Sequence, residues 1–351
     1  MTSTALPRAE EATPRPLATK HRRPADTLFH AAVLGSVVIA LGFLAWLFIS
    51  ILVEGAGTLS TDFLTQKASQ RNPSIAGFTN ALRGSLVLMM ITAFVAIPLG
   101  FAAAIYLEKF APLSRDALVG VARRRERSLR IRLERGEISG VRLALARLWV
   151  RIGYGWAKIG PPINTAVEVN ISNLAAVPSI IYGVLGLALF VSIAGLSKSL
   201  LAGGLTLAVL VLPIIIIASR EAVRAVPSSI EQGAVALGAT RWQAVRKQVL
   251  PAALPGMMTG AILAMSRAIG EAAPLIVVGG ITFGTAIPSL NPVNAGDQPL
   301  FAMPLQIFNW ATQTREEFHQ LAAAGILVLI GTLVLLNLTA ILIRNRFTRR
   351  W

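Results

Sequence analysis

Arg267 and Glu271 are the two residues of this sequence whose charge and setting most strongly suggest chemistry, because they lie inside a long apolar run. The run covers residues 255–280, and about 20 helical residues are enough to cross a bilayer. A charge at the bilayer centre costs about 3 kcal/mol on insertion scales, so such residues face a protein interior or water. One interpretation is a pair that only neutralises itself, although burying both charges seldom adds stability. We favour a second interpretation, in which Arg267 is a fixed cation that lowers the barrier for a crossing anion and Glu271 orients it.

The elements that must position this pair are apolar helices. The chain has 351 residues, of which 54% are hydrophobic and 14% charged, and one soluble domain cannot bury that much apolar surface. No cysteine is present, so disulfides and thiolate metal sites are excluded. Runs of span length cover residues 31–53, 84–107, 172–194, 200–219, 255–280 and 321–343. The sequence therefore predicts an all-α integral membrane protein with six transmembrane helices in residues 31–343, between tails at 1–30 and 344–351.

The basic residues are distributed unevenly between the two sides of these spans. Of the 33 Lys and Arg residues, 27 fall in four segments: the N-terminal tail, residues 108–162, residues 220–254 and the C-terminal tail. Cytoplasmic segments of membrane proteins retain positive charge, so both termini are predicted to be cytoplasmic. The net charge of +16 is therefore attributed to membrane topology, and no nucleic-acid partner is predicted.

Small residues recur every four positions along the fifth span, at Gly256, Gly260, Ala264 and Ala268. This spacing forms a ridge on one helix face, which lets a second helix approach closely. The pattern predicts helix packing.

Motifs of catalysis and nucleotide binding are absent from the sequence. No G-x-x-x-x-G-K-[ST] loop occurs, and His21, His30 and His319 do not have metal-ligand spacing. We therefore predict a transport subunit that is not an enzyme and binds no cofactor or metal, with ATP and Mg handled by a partner.

The segment at 220–254 contains two short helical stretches on either side of Gly238. The apolar residues Ala234, Leu237, Trp242, Val245 and Val249 could contact a protein docked from the cytoplasm, although a loop lying flat on the bilayer would look similar.

The segment resembles the coupling loop of permease subunits in binding-protein-dependent ABC importers, in which a Leu-Pro pair follows a glycine by twelve and thirteen positions. Gly238, Leu250 and Pro251 have this spacing, whereas Gln232, Gly233 and Gln248 replace the usual Glu, Ala and Ile. The residues predicted to couple to the ATPase are Ala234, Leu237, Gly238, Ala239, Trp242, Leu250 and Pro251.

Three collinear stretches resemble the PstA family of phosphate permease subunits: NLAAVPSIIYGVLGLALF at 173–190, SRAIGEAAPL at 266–275 and EEFHQLAAAGILVL at 316–329. The resemblance implies a MetI-like bundle with cytoplasmic coupling helices in a bacterial inner membrane. It also implies a PstC-like permease, a PstB-like ATPase dimer and a PstS-like phosphate-binding protein as partners, with Arg267 and Glu271 important for passage of inorganic phosphate. Sulfate or molybdate remains an alternative cargo, because one arginine does not distinguish tetrahedral anions.

An Arg-rich insert at about 113–160 departs from the family pattern. Arg142, Arg147 and Arg151 alternate with Leu145, Leu148, Trp149 and Trp156, which predicts an amphipathic helix on membrane lipid. Contact with another protein is the alternative, and a membrane scaffold or sensor that works through this insert is the alternative function. The prolines and Trp310 of the external segment 282–318 favour an ordered cap there.

Overall fold

The computed structural model describes residues 24–69, 71–111, 123, 126–131, 141–280 and 286–347. Over these residues the chain is helical, and extended pairing is limited to one isolated bridge between Ser199 and Pro299. The helices are α1 (Pro24–Ala56), α2 (Thr61–Thr65), α3 (Thr79–Ile105), α4 (Val141–Ala175), α5 (Ser179–Gly186), α6 (Leu200–Arg224), α7 (Ser228–Ala236), α8 (Arg241–Ala244), α9 (Leu250–Gly270), α10 (Ala273–Val278), α11 (Met303–Ala311) and α12 (Glu316–Phe347). The predicted all-α fold is confirmed.

Short π-helical segments extend three of these helices, at Tyr106–Phe110 after α3, at Leu187–Ile193 after α5 and at Val245–Val249 between α8 and α9. The described chain forms two compact units, which meet in sequence at Ser50 and Ile51. Residues 24–50 of α1 make up the described part of the first unit, and the large apolar side chains from Leu28 to Ile49 are exposed. Residues 1–23 and 348–351 of the predicted tails, and most of the insert before Val141, lie outside the described residues. The described tail residues, 24–30 and 344–347, belong to α1 and α12.

Five described helices are long and apolar enough to cross a membrane: Leu28–Ala56, Thr79–Phe110, Leu200–Arg224, Arg241–Gly270 and Glu316–Arg346. A sixth span exists only if Asn164–Ala175 and Ser179–Ile193 are counted together, and these two helices are bent by 110°. The predicted span over 172–194 is therefore divided into two helices at Pro178. Pro178 has no N–H to donate and disfavours helical backbone at Val177, so the chain turns here and α5 starts at the next residue.

The fifth predicted span is also interrupted. α9 ends at Gly270, Glu271 has extended backbone (φ −78°, ψ 114°), and α10 begins at Ala273. Pro274 cannot donate to the carbonyl of Gly270, and its ring would clash with that carbonyl in a continuous helix. The predicted span over 255–280 is therefore divided into two helices after Gly270.

The core of the second unit is built around α6, which packs against α3 on one side and α9 on another. Leu207, Val211 and Ile215 of α6 are fully buried. The hydroxyl of Thr92 in α3 donates to the carbonyl of Gly204 in α6 at 3.1 Å. Pro98 in α3 and Pro213 in α6 lie inside unbroken helices, so these two prolines do not end their spans.

The segment after α10 folds over the N-terminal end of α3. Trp310 of α11 is buried against the stacked rings of Phe63 and Phe78, with ring centroids 5.5–6.0 Å apart. The backbone N–H of Met303 donates to the hydroxyl of Ser85 at 2.8 Å. The described part of the predicted cap, from residue 286 onward, is therefore held by packing and hydrogen bonds, and residues 281–285 lie outside the described chain.

Candidate functional site

The small-residue ridge of α9 faces α6. A Cβ added at Gly256 would lie 2.8 Å from the Cβ of Ala222, and one added at Gly260 would lie 2.4 Å from the Cβ of Ala218. Ala264 and Ala268, the next two residues of the ridge, are fully buried. Glycine therefore permits a helix approach that any larger side chain would prevent.

These two contacts also show which residues of α9 and α6 lie at the same level along the helix axes. The pairs Gly256–Ala222 and Gly260–Ala218 advance by four residues in opposite directions, so α9 and α6 run antiparallel. Continued along both helices, this register puts Arg267 level with Val211, near the middle of α6 (Leu200–Arg224). Arg267 is therefore at mid-height in the bundle.

Arg267 and Glu271 are brought together directly. The Nε of Arg267 donates to the Oε1 of Glu271 at 3.0 Å. The Arg267 side chain is 52% exposed and the Glu271 side chain 17% exposed. Glu271 lies one residue past the end of α9, so the prediction that both residues share one helix is wrong, and the carboxylate is held by the break between α9 and α10.

An exposed strip runs along α9 beside the packed ridge. It consists of Leu263, Arg267 and Gly270, which the described residues leave uncovered. An arginine at this depth is costly in lipid, so the strip is suited to face a second protein surface or a water-filled path. The arrangement can attract an anion at mid-height in the bundle.

A protruding corner between α7 and α8 holds five of the seven predicted coupling residues: Ala234, Leu237, Gly238, Ala239 and Trp242. Gly238 has a left-handed backbone (φ +90°), which a side chain would strain, and it allows the sharp turn between the two helices. Leu237 is 92% exposed, Trp242 is exposed, and Ala234 and Ala239 are partly buried. The N-terminus of α8 is fixed by a capping box between Thr240 and Gln243. This corner presents apolar side chains to the outside of the bundle.

Four other residues of this segment point away from the corner. Val245 and Val249 are fully buried, and Val249 packs with Val223 and Ala253, so the prediction that these valines contact a docked protein is wrong. Their π-helical turn directs them into the bundle. Leu250 and Pro251 are half-buried at the start of α9. The Leu-Pro pair therefore joins the corner to the transmembrane helix.

The corner is attached to the C-terminal end of α3. Lys109 Nζ contacts Glu231 Oε2 at 2.8 Å, and both side chains are largely buried. The ring of Phe110 lies 6.0 Å from the ring of Trp242, and the guanidinium of Arg241 lies over the same phenyl ring at 5.8 Å. These contacts join the corner to the end of α3.

A second group of charges connects three helices nearby. Glu108 accepts from Arg224 at 3.0 Å and contacts Arg220 at 3.5 Å, and Arg220 donates to Glu168 of α4 at 2.8 Å. These ion pairs join the ends of α3 and α6 to α4. Sequence reasoning missed both groups, because the partners are separated by 50 residues or more and no local spacing indicates them.

A further polar contact was also missed. The hydroxyl of Ser266 in α9 donates to Asn337 Oδ1 in α12 at 2.6 Å, beside an apolar cavity of about 740 Å³ between α3, α9 and α12. The available signal was Asn337 itself, a lone amide in an apolar span.

Comparison with known proteins identifies the family of this chain. The sequence profile described as "Binding-protein-dependent transport system inner membrane component" matches residues 150–351. The chain belongs to this family. The permease is therefore a multi-pass inner-membrane subunit of an ABC importer, and its family implies an ATPase and a substrate-binding protein as partners.

Among its relatives, the permease is 27% identical to "Probable ABC transporter permease protein YqgI" of Bacillus subtilis (strain 168), over 88% of its own length and 90% of the relative's. It is 26% identical to "Phosphate transport system permease protein PstA 1" of Mycobacterium tuberculosis (strain ATCC 25618 / H37Rv), over 96% and 92%. It is 31% identical to the PstA of Xylella fastidiosa (strain Temecula1 / ATCC 700964), over 56% and 68%. Among solved structures, a chain of the MetNI methionine ABC transporter matches with a TM-score of 0.47 at 19% identity, over 77% of the permease and 97% of that chain. The predicted resemblance to PstA is confirmed.

Proposed function

We propose that the permease forms the translocation path for inorganic phosphate together with a second, PstC-like permease. The observation that carries this proposal is the half-exposed guanidinium of Arg267 at mid-height on an uncovered strip of α9. Relatives named as PstA support phosphate as the anion. One bundle does not surround a pore by itself, so the strip faces the second permease across the path.

Arg267 has donors available for a passing anion. Its contact with Glu271 uses Nε, and a guanidinium carries four further N–H donors. These suit the oxygens of a tetrahedral oxyanion, which arginine recognises well. The carboxylate reduces the local positive charge, so phosphate is attracted without being trapped.

The energy for transport comes from the partner ATPase, which binds ATP and Mg. In this proposal a PstB-like dimer docks on the apolar corner around Leu237 and Trp242, and a PstS-like protein delivers phosphate on the opposite side. Movement of the corner reaches the bundle through Lys109–Glu231 and α9, and exposes Arg267 alternately to the two sides. The excess of basic residues in the termini and in the segments between α3 and α4 and between α6 and α9 supports cytoplasmic termini.

The test is ATP-dependent uptake of radiolabelled phosphate into vesicles that contain the permease and its proposed partners. Arg267→Gln is compared with wild type and with Arg346→Gln, which removes an exposed arginine at the far end of α12. We expect Arg267→Gln to lose uptake while the complex still assembles, and Arg346→Gln to retain it. Undiminished uptake by Arg267→Gln would show that transport does not need the charge of Arg267, which would then have only a structural role.

Sulfate and molybdate competition tests the alternative cargo. We expect neither anion to reduce phosphate uptake, and an assembled complex that imports sulfate but not phosphate would overturn the substrate proposal.

Deleting residues 118–158 tests the alternative in which the insert is the working part of a scaffold or sensor. On our proposal the deletion leaves phosphate uptake intact.

A further inference from the structure

α4 carries a row of exposed apolar side chains in the part of the chain that departs from the family pattern. Leu145, Leu148, Trp149 and Ile152 follow the i, i+3, i+4, i+7 spacing of one helix face, and each is at least half exposed. Arg151 is exposed on a different face of the same two turns. An amphipathic helix with an uncovered apolar face is not stable in water alone, so this row requires a partner.

The other end of α4 shows where this row is located. Asn164 donates to the carbonyl of Ala111 at 3.0 Å, Glu168 pairs with Arg220 at 2.8 Å, and Ile171 packs beside Ile216. Residues 164–175 therefore run antiparallel to the last turns of α6, and the preceding residues of α4 continue beyond the Arg224 end of the bundle. This is the end that carries the basic segments.

Two features favour a lipid surface as the partner. Residues 108–162 contain 13 Lys and Arg residues against 5 Asp and Glu residues, which attracts anionic headgroups. The row includes a tryptophan, a residue enriched where protein meets the headgroup region. Pro161 and Pro162 remove two consecutive backbone donors within the continuous helix α4, and a proline kink at this point is the turn that would bring residues 141–160 from the bundle into the membrane plane.

We propose that residues 141–160 of α4 lie in the headgroup region of the cytoplasmic leaflet and bind anionic phospholipid. The row of Leu145, Leu148, Trp149 and Ile152 enters the acyl boundary, and the arginines remain at the headgroups. This inference depends on the proposed orientation of the permease in the membrane but not on phosphate as its cargo.

Spin labelling tests the depth of this helix directly. The natural sequence contains no cysteine, so single cysteines can be introduced into the full chain one at a time and labelled with a nitroxide. The chain is placed in nanodiscs of phosphatidylcholine, with or without phosphatidylglycerol, and collision with oxygen is compared with collision with a water-soluble nickel chelate. Phe94, exposed on α3, is the lipid reference, and Ser229, exposed on α7, is the water reference.

With phosphatidylglycerol present, we expect labels at Leu145, Leu148, Trp149 and Ile152 to shift to the oxygen-to-nickel ratio of Phe94, and a label at Arg151 to remain nearer Ser229. Combining Arg147→Gln with Arg151→Gln should weaken the shift that the anionic lipid produces. Ratios equal to Ser229 at all five positions in both lipids would overturn the proposal. Protection of the row from both reagents would also overturn it, because a protein surface would then be the partner. The accessibility ratios are measured without transport, so they test the lipid proposal independently of the phosphate-uptake assay.

Discussion

Lys109 and Glu231 form a largely buried ion pair of 2.8 Å between the end of α3 and α7, the first helix of the protruding corner. Gln232 lies at the position where the coupling-loop pattern has glutamate, and Glu231, one position earlier, makes this contact. The corner is therefore joined to the bundle by an ion pair even though Gln232 carries no charge. Arg241 approaches the same carboxylate at 3.8 Å, so Glu231 lies between two cations.

Replacing Glu231 with Gln should weaken the link between ATP hydrolysis and transport. The neutral amide leaves Lys109 without its charged partner in a partly buried site, which is costly. We expect less phosphate imported per ATP hydrolysed, and a Lys109/Glu231 double-mutant cycle with a coupling energy of about 1 kcal/mol in thermal unfolding. Glu221→Gln is the control, because its pair with Arg224 is exposed on both sides. An equal effect of the two variants would contradict a special role for Glu231.

Gly260→Ala should destabilise the bundle, whereas Gly331→Ala should not. The new methyl group would lie 2.4 Å from the Cβ of Ala218, so α9 and α6 must separate, and overpacking of this kind costs about 1–3 kcal/mol. A Cβ at Gly331 in α12 meets nothing within 4 Å, and alanine there favours the helix by about 0.5–1 kcal/mol. The measurement is the thermal midpoint of each purified variant in the same detergent. Equal midpoints would show that α9 does not rely on this close approach.

Leu237→Glu should prevent stable association with the partner ATPase. Leu237 is 92% exposed at the corner, so a charge there leaves the fold intact but is desolvated when an apolar surface docks on it. Val293→Glu is the matched control, because Val293 is 85% exposed in the segment between α10 and α11. We expect co-purification of the ATPase to be lost only in Leu237→Glu, with equal thermal midpoints for both variants. If the Leu237→Glu variant still retained the ATPase, the ATPase would have to dock on a different surface of the permease.

Asn337→Leu should lower stability through the loss of one interhelical hydrogen bond. Ser266 donates to Asn337 at 2.6 Å, and such bonds within membranes average about 0.6 kcal/mol in double-mutant cycles. Thr339→Val provides the comparison, since the Thr339 hydroxyl bonds only within α12, to the carbonyl of Leu335. The two variants are compared by thermal unfolding, and the Ser266/Asn337 cycle should give a nonzero coupling. Additive effects of Ser266→Ala and Asn337→Leu would exclude an energetic role for this contact.

The membrane helices could be predicted because length and hydropathy are local properties of the chain. The breaks at Pro178 and Pro274 could not, since Pro98 and Pro213 occur in equally apolar runs and remain helical. The difference depends on neighbouring helices that can satisfy the freed backbone groups, and sequence alone does not show those neighbours.

The candidate site was predictable to a similar degree. Two charges in an apolar run identified Arg267 and Glu271, because their cost in a membrane is independent of the fold. The orientation of Val245 and Val249 was assigned wrongly, because apolar residues on a short amphipathic segment suit a docking surface and a core equally well. The contacts of Glu108 and Lys109 join residues distant in sequence, so only the folded chain reveals them.

The helix from Arg241 to Gly270 runs without interruption for 30 residues, from the coupling corner to the end that carries Arg267. At a rise of about 1.5 Å per residue this helix is about 45 Å long. A tilt of about 4° at Trp242 would displace the far end by about 3 Å, on the order of the length of a hydrogen bond. In the proposed transport cycle, a small rocking of the corner is enough to make or break contact between the Arg267 guanidinium and the anion, so the helix would act as a lever.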